Sequence, residues 1–195
     1  DVVLDACSSP GGKTTYLAEI MQNVGEIDAW DLHEHRTKLV KNTAKRLGLT
    51  IINTETKDAS VYDESLKEKY DKILLDVPCL GLGVLKRKPD IKWERKEEDI
   101  KEISQIQEKI LDTCSKYLKP NGELVYSTCS ILKDENENII EKFLEKNKNF
   151  TYCNIEEKIV EKNKKIKENN KKTGIIKFFQ DEGNDGFFIC KLIKK

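Results

Sequence analysis

The sequence lacks a net charge. Its 35 basic and 35 acidic residues cancel, although charged residues make up 36% of the chain. No global basic field exists to draw in nucleic acid, so any such binding is local or is supplied by sequence outside these residues. No apolar run reaches the length of about 18 residues that a membrane-crossing helix needs, and no signal peptide is visible. Six cysteines are present, at 7, 79, 114, 129, 153 and 190, without the close spacings of a zinc site or of a secreted disulfide framework. They read as free thiols in a reducing, intracellular setting, with no metal expected. The nucleotide-loop patterns are missing too. "DACSSPGGKTT" ends in "GGKT", but the Walker pattern requires glycine where Cys7 stands, and G-x-G-x-x-G does not occur.

What is there is a regular alternation. At 195 residues the chain has room for one well-buried domain. It opens without Met and directly on a strand-like run, which reads as a domain excised from a longer chain. Strands are expected at Val2–Ala6, Glu26–Leu32, 50–56, 71–78 and 123–128. Helices are expected at Thr14–Asn23, Glu34–Leu47, Tyr62–Lys69, Glu97–Tyr117 and Glu135–Lys146. The run "DKILLDVP" is nearly all apolar, as in a strand buried on both faces. In the longest helix Ile100, Ile103, Ile106, Ile110 and Leu111 recur at helical spacing, and "KPNG" reads as a turn. Residues 79–96 form a long loop. Residues 156–173, almost entirely Lys, Glu and Asn, are expected to be a solvated or disordered insertion. "IIKFFQ" and "GFFICKLI" then close the domain as an antiparallel pair.

Alternating strands and helices argue for a parallel sheet covered on both faces, which binds ligands at the carboxyl ends of its strands. The chemistry-bearing residues gather at those ends. Pro10, Gly11 and Gly12 let backbone approach a ligand at a helix start. Asp31 ends the second strand, where a carboxylate can accept ribose hydroxyls; Asp58 follows the third and Asp76 ends the fourth. A single such carboxylate reads equally as a surface group or a cap, but three at successive strand ends fit an adenosine ligand without a polyphosphate, S-adenosylmethionine foremost. Cys79 and Cys129 follow strands four and five, so both overlook one cleft if those strands are neighbours. Cys114, Cys153 and Cys190 read as buried packing residues.

Three stretches, "DACSSPGGKTT", "LLDVPCLGLGVLKRKPDIKW" and "LVYSTCSILKDENE", resemble the motifs of the Nol/Nop/Sun family of RNA cytosine-5 methyltransferases. "KPDIKW" and the closing "DGFFICKLIKK" look most like its bacterial small-subunit ribosomal RNA members. The resemblance spans roughly residues 1–147 and the last dozen, and fails over the Lys/Asn-rich stretch. It implies a Rossmann-like α/β fold with a mixed seven-stranded sheet and helices on both faces. It also implies S-adenosylmethionine as cofactor and RNA, chiefly ribosomal RNA in single-stranded or opened form, as partner.

Carried over by position, the family's cofactor loop matches Cys7, Ser8, Ser9, Pro10, Gly11, Gly12 and Lys13, with Ser8 and Ser9 where alanines are usual. Asp31 matches the ribose-binding acid and Arg36 a nearby arginine. Asp58 matches the acid near the adenine, in "KDAS" instead of the common Asp-Gly. Asp76 matches the acid beside the transferred methyl and the base. Cys129 matches the nucleophile and Cys79 the cysteine that helps release product, with Leu80 in place of a serine. Lys86, Arg87, Lys88, Lys92 and Trp93 read either as an RNA-contacting wall or as a solvated charge run with a packed Trp. Transfer RNA as substrate, a non-catalytic assembly scaffold, and a hydrolase pairing Cys129 with His33 or His35 are the alternatives. Oligomeric state is open.

Overall fold

A computed structural model describes residues 1–155, 168–170, 174–180 and 183–195. Five strands run parallel: β1 (Val2–Asp5), β2 (Glu26–Asp31), β3 (Ile52–Thr56), β4 (Tyr70–Asp76) and β5 (Leu118–Thr128). They lie in the order β3-β2-β1-β4-β5, so the chain starts in the middle of the sheet and reverses direction at β1. That reversal opens a crevice at the carboxyl ends of the central strands.

Beyond β5 the sheet turns antiparallel. β9 (Phe187–Lys194) pairs along β5, with Thr128 opposite Phe188 and Glu123 opposite Ile193. On the far side of β9, β8 (Ile175–Phe178) takes its first half and β6 (Phe150–Tyr152) its last residues. β7 (Glu168–Asn170) pairs with β8 at the edge. Two three-residue strands thus bring the expected seven-stranded sheet to nine strands among the described residues. The expected closing antiparallel pair is β8 and β9. Most of the insertion expected at 156–173 lies outside the described residues, but β7 falls within it.

Helices α1 (Gly12–Ile20), α2 (Glu34–Arg46), α3 (Ile91–Glu94), α4 (Glu97–Cys114) and α5 (Glu137–Lys146) make the connections. The expected helix at Tyr62–Lys69 is a single 3-10 turn over Glu64–Leu66, started by the Asp63 carboxylate accepting from Ser65 N. "KPNG" is not a free turn. Asn121, at φ 63°, bulges β5 outward, so that pairing with β4 jumps from Tyr70–Leu118 to Lys72–Glu123. The stripe on α4 is also shifted from the expected one. Ile110 and Leu111 are buried, but Ile106 is exposed and Gln107, a polar residue, is fully buried.

The core under the sheet is aromatic at one end. Trp30 meets Tyr70 and Tyr117 edge to face, with centroids 6.4 and 6.0 Å apart. Leu4, Ile73, Leu75 and Leu124 fill the central strands with no more than 2% exposure. Each such side chain contributes about 1.5–3 kcal/mol of burial, which fixes the strand register and hence the relative heights of the strand ends.

Candidate active site

The loop between β1 and α1 is held by its own backbone and by two neighbours. Gly11 adopts φ 104°, a conformation that favours glycine, and its N–H donates to Ser8 O at 2.8 Å. A Cβ at Gly11 would lie 3.2 Å from Val40 Cα, so α2 packs directly on the loop. The two serines that replace alanines tie it down further. Ser8 donates through both N–H and Oγ to Trp30 O, at 2.8 and 2.9 Å, and Ser9 Oγ donates to Arg36 O.

Below the loop, Thr14 Oγ1 donates to Asp5 Oδ2 at 2.7 Å, while Asp5 Oδ1 is buried without a partner among the described residues. Burial pushes the Asp5 carboxyl up to about 6, against the pull of the Thr14 hydrogen bond. Asp5, Cys7, Ser8, Ser9, Pro10, Gly12, Lys13 and Asp76 line a cavity of about 270 Å³. Asp5 lines this cavity and keeps a buried oxygen without a partner beside it, so hydrogen-bonding capacity is left unspent next to space that a polar ligand can enter.

The three strand-end acids stand as expected at the carboxyl edge, in unequal settings. Asp31 is buried, accepts from His33 N at 3.1 Å and pairs with Arg36 Nε at 3.3 Å. Lys57 N donates to Asp31 O, which puts the exposed Asp58 just beyond it, with its Oδ1 accepting from Ser60 N and Oγ. Asp76 Oδ2 pairs with Lys13 Nζ at 2.7 Å and Oδ1 accepts from Ser127 Oγ at 2.8 Å. Asp76 therefore bridges the cavity to the next strand.

Because β4 and β5 are neighbours with Asp76 opposite Ser127, the segments after them run side by side. Cys79 Sγ and Cys129 Sγ lie 3.1 Å apart, both half-buried. A hydrogen bond from the Cys79 thiol holds Cys129 down at about 7, while burial and the nearby Asp76 and Glu135 charges oppose it. The same hydrogen bond, reinforced by burial, pushes Cys79 far above the ordinary thiol range. The two thiols are thus coupled, with ionisation favoured at Cys129 over Cys79.

Backbone-to-backbone packing secures the pair. Gly83 N donates to Cys129 O at 2.8 Å, and Gly186 N donates to Gly83 O at 2.6 Å. A Cβ at Gly83 would fall 2.6 Å from Cys129 O and closer still to Gly186 O. The residues expected to form a loop at 79–96 contain a 3-10 turn at Leu82–Val84 and the short helix α3. A methyl at Gly81 would sit 3.3 Å from Ile91 Cδ1 and 4.0 Å from Cys129 Sγ, so α3 borders the thiols. Trp93 on α3 is 81% exposed, with Lys92 Nζ 5.2 Å over its ring, and Arg87 pairs with Asp185. Trp93 is thus a displayed ring and not the packed Trp of the solvated-run alternative.

Several residues that build the site were not singled out from the sequence. Asp5, Ser127, Gly83, Gly186, Gln107 and Glu135 carry it, and Glu135 was in view within "LKDENE". Of the remaining cysteines, Cys114 and Cys190 are buried and Cys153 is half-buried. His33 and His35 stack on each other at the start of α2, with centroids 5.6 Å apart, beside Asp31. Among the described residues no cluster of His, Cys, Asp or Glu could hold a metal ion, and no helix is long and apolar enough to cross a membrane.

A parallel sheet reversing at β1, a glycine loop and strand-end carboxylates define a Rossmann-like α/β methyltransferase domain. The family described as 16S rRNA methyltransferase RsmB/F matches residues 1–193, and the chain belongs to that family, within the Nol/Nop/Sun group. It is 41% identical to the probable ribosomal RNA small subunit methyltransferase B of Bacillus subtilis, over 100% of this chain and 43% of that protein. With ribosomal RNA small subunit methyltransferase B of Photorhabdus laumondii it shares 40% identity, over 99% and 42%. NSun6 from Pyrococcus horikoshii, solved with the S-adenosylmethionine analogue SFG, superposes with a TM-score of 0.81 at 30% identity, over 100% of this chain and 48% of that one. The chain spans less than half the length of the curated relatives it matches.

Proposed function

We propose that this chain is the catalytic domain of an S-adenosylmethionine-dependent RNA cytosine-5 methyltransferase acting on ribosomal RNA through a covalent Cys129–C6 adduct. The observation that carries the reading is the thiol pair, 3.1 Å apart and bordered by Asp76, next to a cavity with an unsatisfied buried carboxylate oxygen. Cytosine C5 is a weak nucleophile. Attack by the Cys129 thiolate on C6 saturates the C5–C6 bond and moves electron density onto C5. Asp76, protonated or acting through hydrogen bonding at cytosine N3, stabilises the charge that develops on the ring.

S-adenosylmethionine, when bound, supplies the electrophilic methyl group that C5 takes. The residues fit such a group: the Ser8–Lys13 loop gives backbone access, Asp31 offers carboxylate lone pairs to ribose hydroxyls, and Asp58 lies farther along the same edge. After transfer, solvent water acting as base takes the C5 proton, the C5–H electron pair re-forms the C5–C6 double bond, and Cys129 leaves C6 as a thiolate. Cys79 assists that elimination from its position beside the nucleophile. RNA as partner is supported by the family's description and by α3, whose exposed Trp93 and Lys92 suit stacking and phosphate contact on an unpaired strand.

The test is covalent capture. The protein is expressed as wild type, Cys79→Ala and Cys129→Ala, and RNA attached to each is recovered and sequenced. Adducts confined to Cys79→Ala are expected, with 5-methylcytosine lost in Cys129→Ala. Adducts confined to Cys129→Ala would exchange the two roles. Unchanged 5-methylcytosine in Cys129→Ala would replace the reading with a scaffold role.

A further inference from the structure

Just past the nucleophile segment, Glu135 is fully buried, an unusual place for a carboxylate. Every contact it makes is from a donor. Its Oε2 accepts from Leu80 N at 2.9 Å and from Gln107 Nε2 at 3.0 Å, and its Oε1 accepts from Ser130 Oγ at 2.5 Å. Leu80 directly follows Cys79 and Ser130 directly follows Cys129. One carboxylate thus grips both thiol-bearing segments by the adjoining residue. Gln107, the polar residue in the α4 stripe, anchors the assembly by also donating to Pro78 O at 2.8 Å, one residue before Cys79. Asn136 completes it, donating to Ser130 O and accepting from Thr128 Oγ1. Tyr126 OH donates to Glu135 O and fixes the backbone.

We infer that Glu135 is a positioning residue for the two-thiol site, a buried brace that sets the distance between Cys79 and Cys129. The inference rests on the proposed roles of the two thiols. Burying a carboxylate costs several kcal/mol unless it is fully hydrogen-bonded, and the three donors, one on each thiol-bearing loop and one on α4, offset that cost only if all three segments hold their places. The charged and titratable groups facing Cys129 are Asp76 from β4, which is paired with Lys13 from α1, Cys79 from the loop after β4, and Glu135 itself. The Glu135 charge raises both thiols, so its removal favours ionisation, whereas removal of the brace separates them.

The two effects separate in two variants. Glu135→Gln removes the charge and keeps one acceptor oxygen for Leu80 N and Gln107 Nε2, with its new amide N–H turned to Ser130 Oγ; Glu135→Ala removes the brace. Iodoacetamide labelling of Cys129 and Cys79, resolved by mass spectrometry from pH 5 to 9, reads the thiols without RNA or cofactor. Methyl transfer kcat and KM are measured in parallel. In wild type, Cys129 labelling should be half-maximal near pH 7. Glu135→Gln should move that midpoint to lower pH. Glu135→Ala should cut the preference for Cys129 over Cys79 by about tenfold and kcat by about 100-fold, with KM for the cofactor changed less than about twofold. Unchanged relative labelling of the two thiols and unchanged kcat in Glu135→Ala would overturn the inference; should that variant not fold, the same result in Glu135→Asp, which draws the carboxylate back from both segments by one methylene, would overturn it. Labelling that responds to both variants in a protein that methylates no cytosine would keep the brace and remove the proposed reaction.

Discussion

The cofactor-side loop and the thiol pair sit at the same edge of one sheet and are built in opposite ways. The loop is local. Gly11 bonds back to Ser8, Thr14 reaches Asp5 nine residues away, and Ser8 reaches Trp30 at 22. The thiol pair is assembled from afar. Cys79 and Cys129 are 50 residues apart, Leu80 and Glu135 are 55 apart, and Gly186 from the end of the chain closes on Gly83. The polar groups differ as well. The loop leaves Asp5 Oδ1 unsatisfied and its cavity open, while around the thiols the buried Glu135 carboxylate is saturated with donors. A site that must receive a small ligand keeps unspent hydrogen-bonding capacity. A site that must hold two reactive atoms at a fixed spacing commits its carboxylate to the protein, and there only Gln107 Oε1 is left without a partner among the described residues.

Substitutions at each end sharpen this contrast. Gly83→Ala strikes the long-range assembly, because its Cβ has only backbone to push against at Cys129 O and Gly186 O. A loss of about 3 kcal/mol of stability and a fall of about 100-fold in kcat are expected. Denaturant unfolding and single-turnover methylation measure them, and cofactor affinity in the folded variant should stay near wild type.

The next effect falls on the ligand side and depends on pH. Asp5 is raised by burial to about 6 from a value near 4 in the unfolded chain, so the fold prefers it protonated. Its contribution is fully present below pH 4 and is lost as pH rises through 6. Wild type should therefore lose on the order of 2–3 kcal/mol from this group between pH 4 and 7. Asp5→Asn should remove that part of the slope, as thermal unfolding across the range will show, while leaving the relative labelling of the two thiols unchanged.

The smallest effect is expected at Asp31→Ala. Loss of a charged acceptor for ribose should weaken cofactor binding by about 1.5 kcal/mol, roughly tenfold, measured by calorimetry. Turnover at saturating cofactor should hold within about twofold. A reversal, with Asp31 altering turnover and Gly83 altering affinity, would break the division between the two ends.

The local end was the more legible in the sequence, for the same reason that it is local. Strand, glycine turn and helix start are adjacent in "DACSSPGGKTT", and the strand-end acids follow from recognising where apolar runs stop. The alternation of elements identified the parallel sheet, and the final antiparallel pair stood out as two apolar runs around a turn. Misreadings arose where tertiary contacts outweighed local pattern. Ile106 fits the helical period of α4 but faces outward, since Gln107 is drawn inward to Glu135 and Pro78 O. "KPNG" has turn composition, yet neighbouring pairs carry β5 through it as a bulge. Tyr62–Lys69 shortens to one 3-10 turn because Asp63 spends its carboxylate on Ser65 and Lys57.

The sequence alone determined the α/β alternation, the carboxylates and cysteines at strand ends, and the motif resemblance that pointed to the family. Those features depend on residue type and on spacing along one strand or helix. The structure decided that β4 and β5 are neighbours, that their two thiols lie within reach of one proton, and that a single buried glutamate joins the segments carrying them. Such facts depend on which strands pair and on where a buried charge finds its donors, and both are settled only when distant parts of the chain share one core.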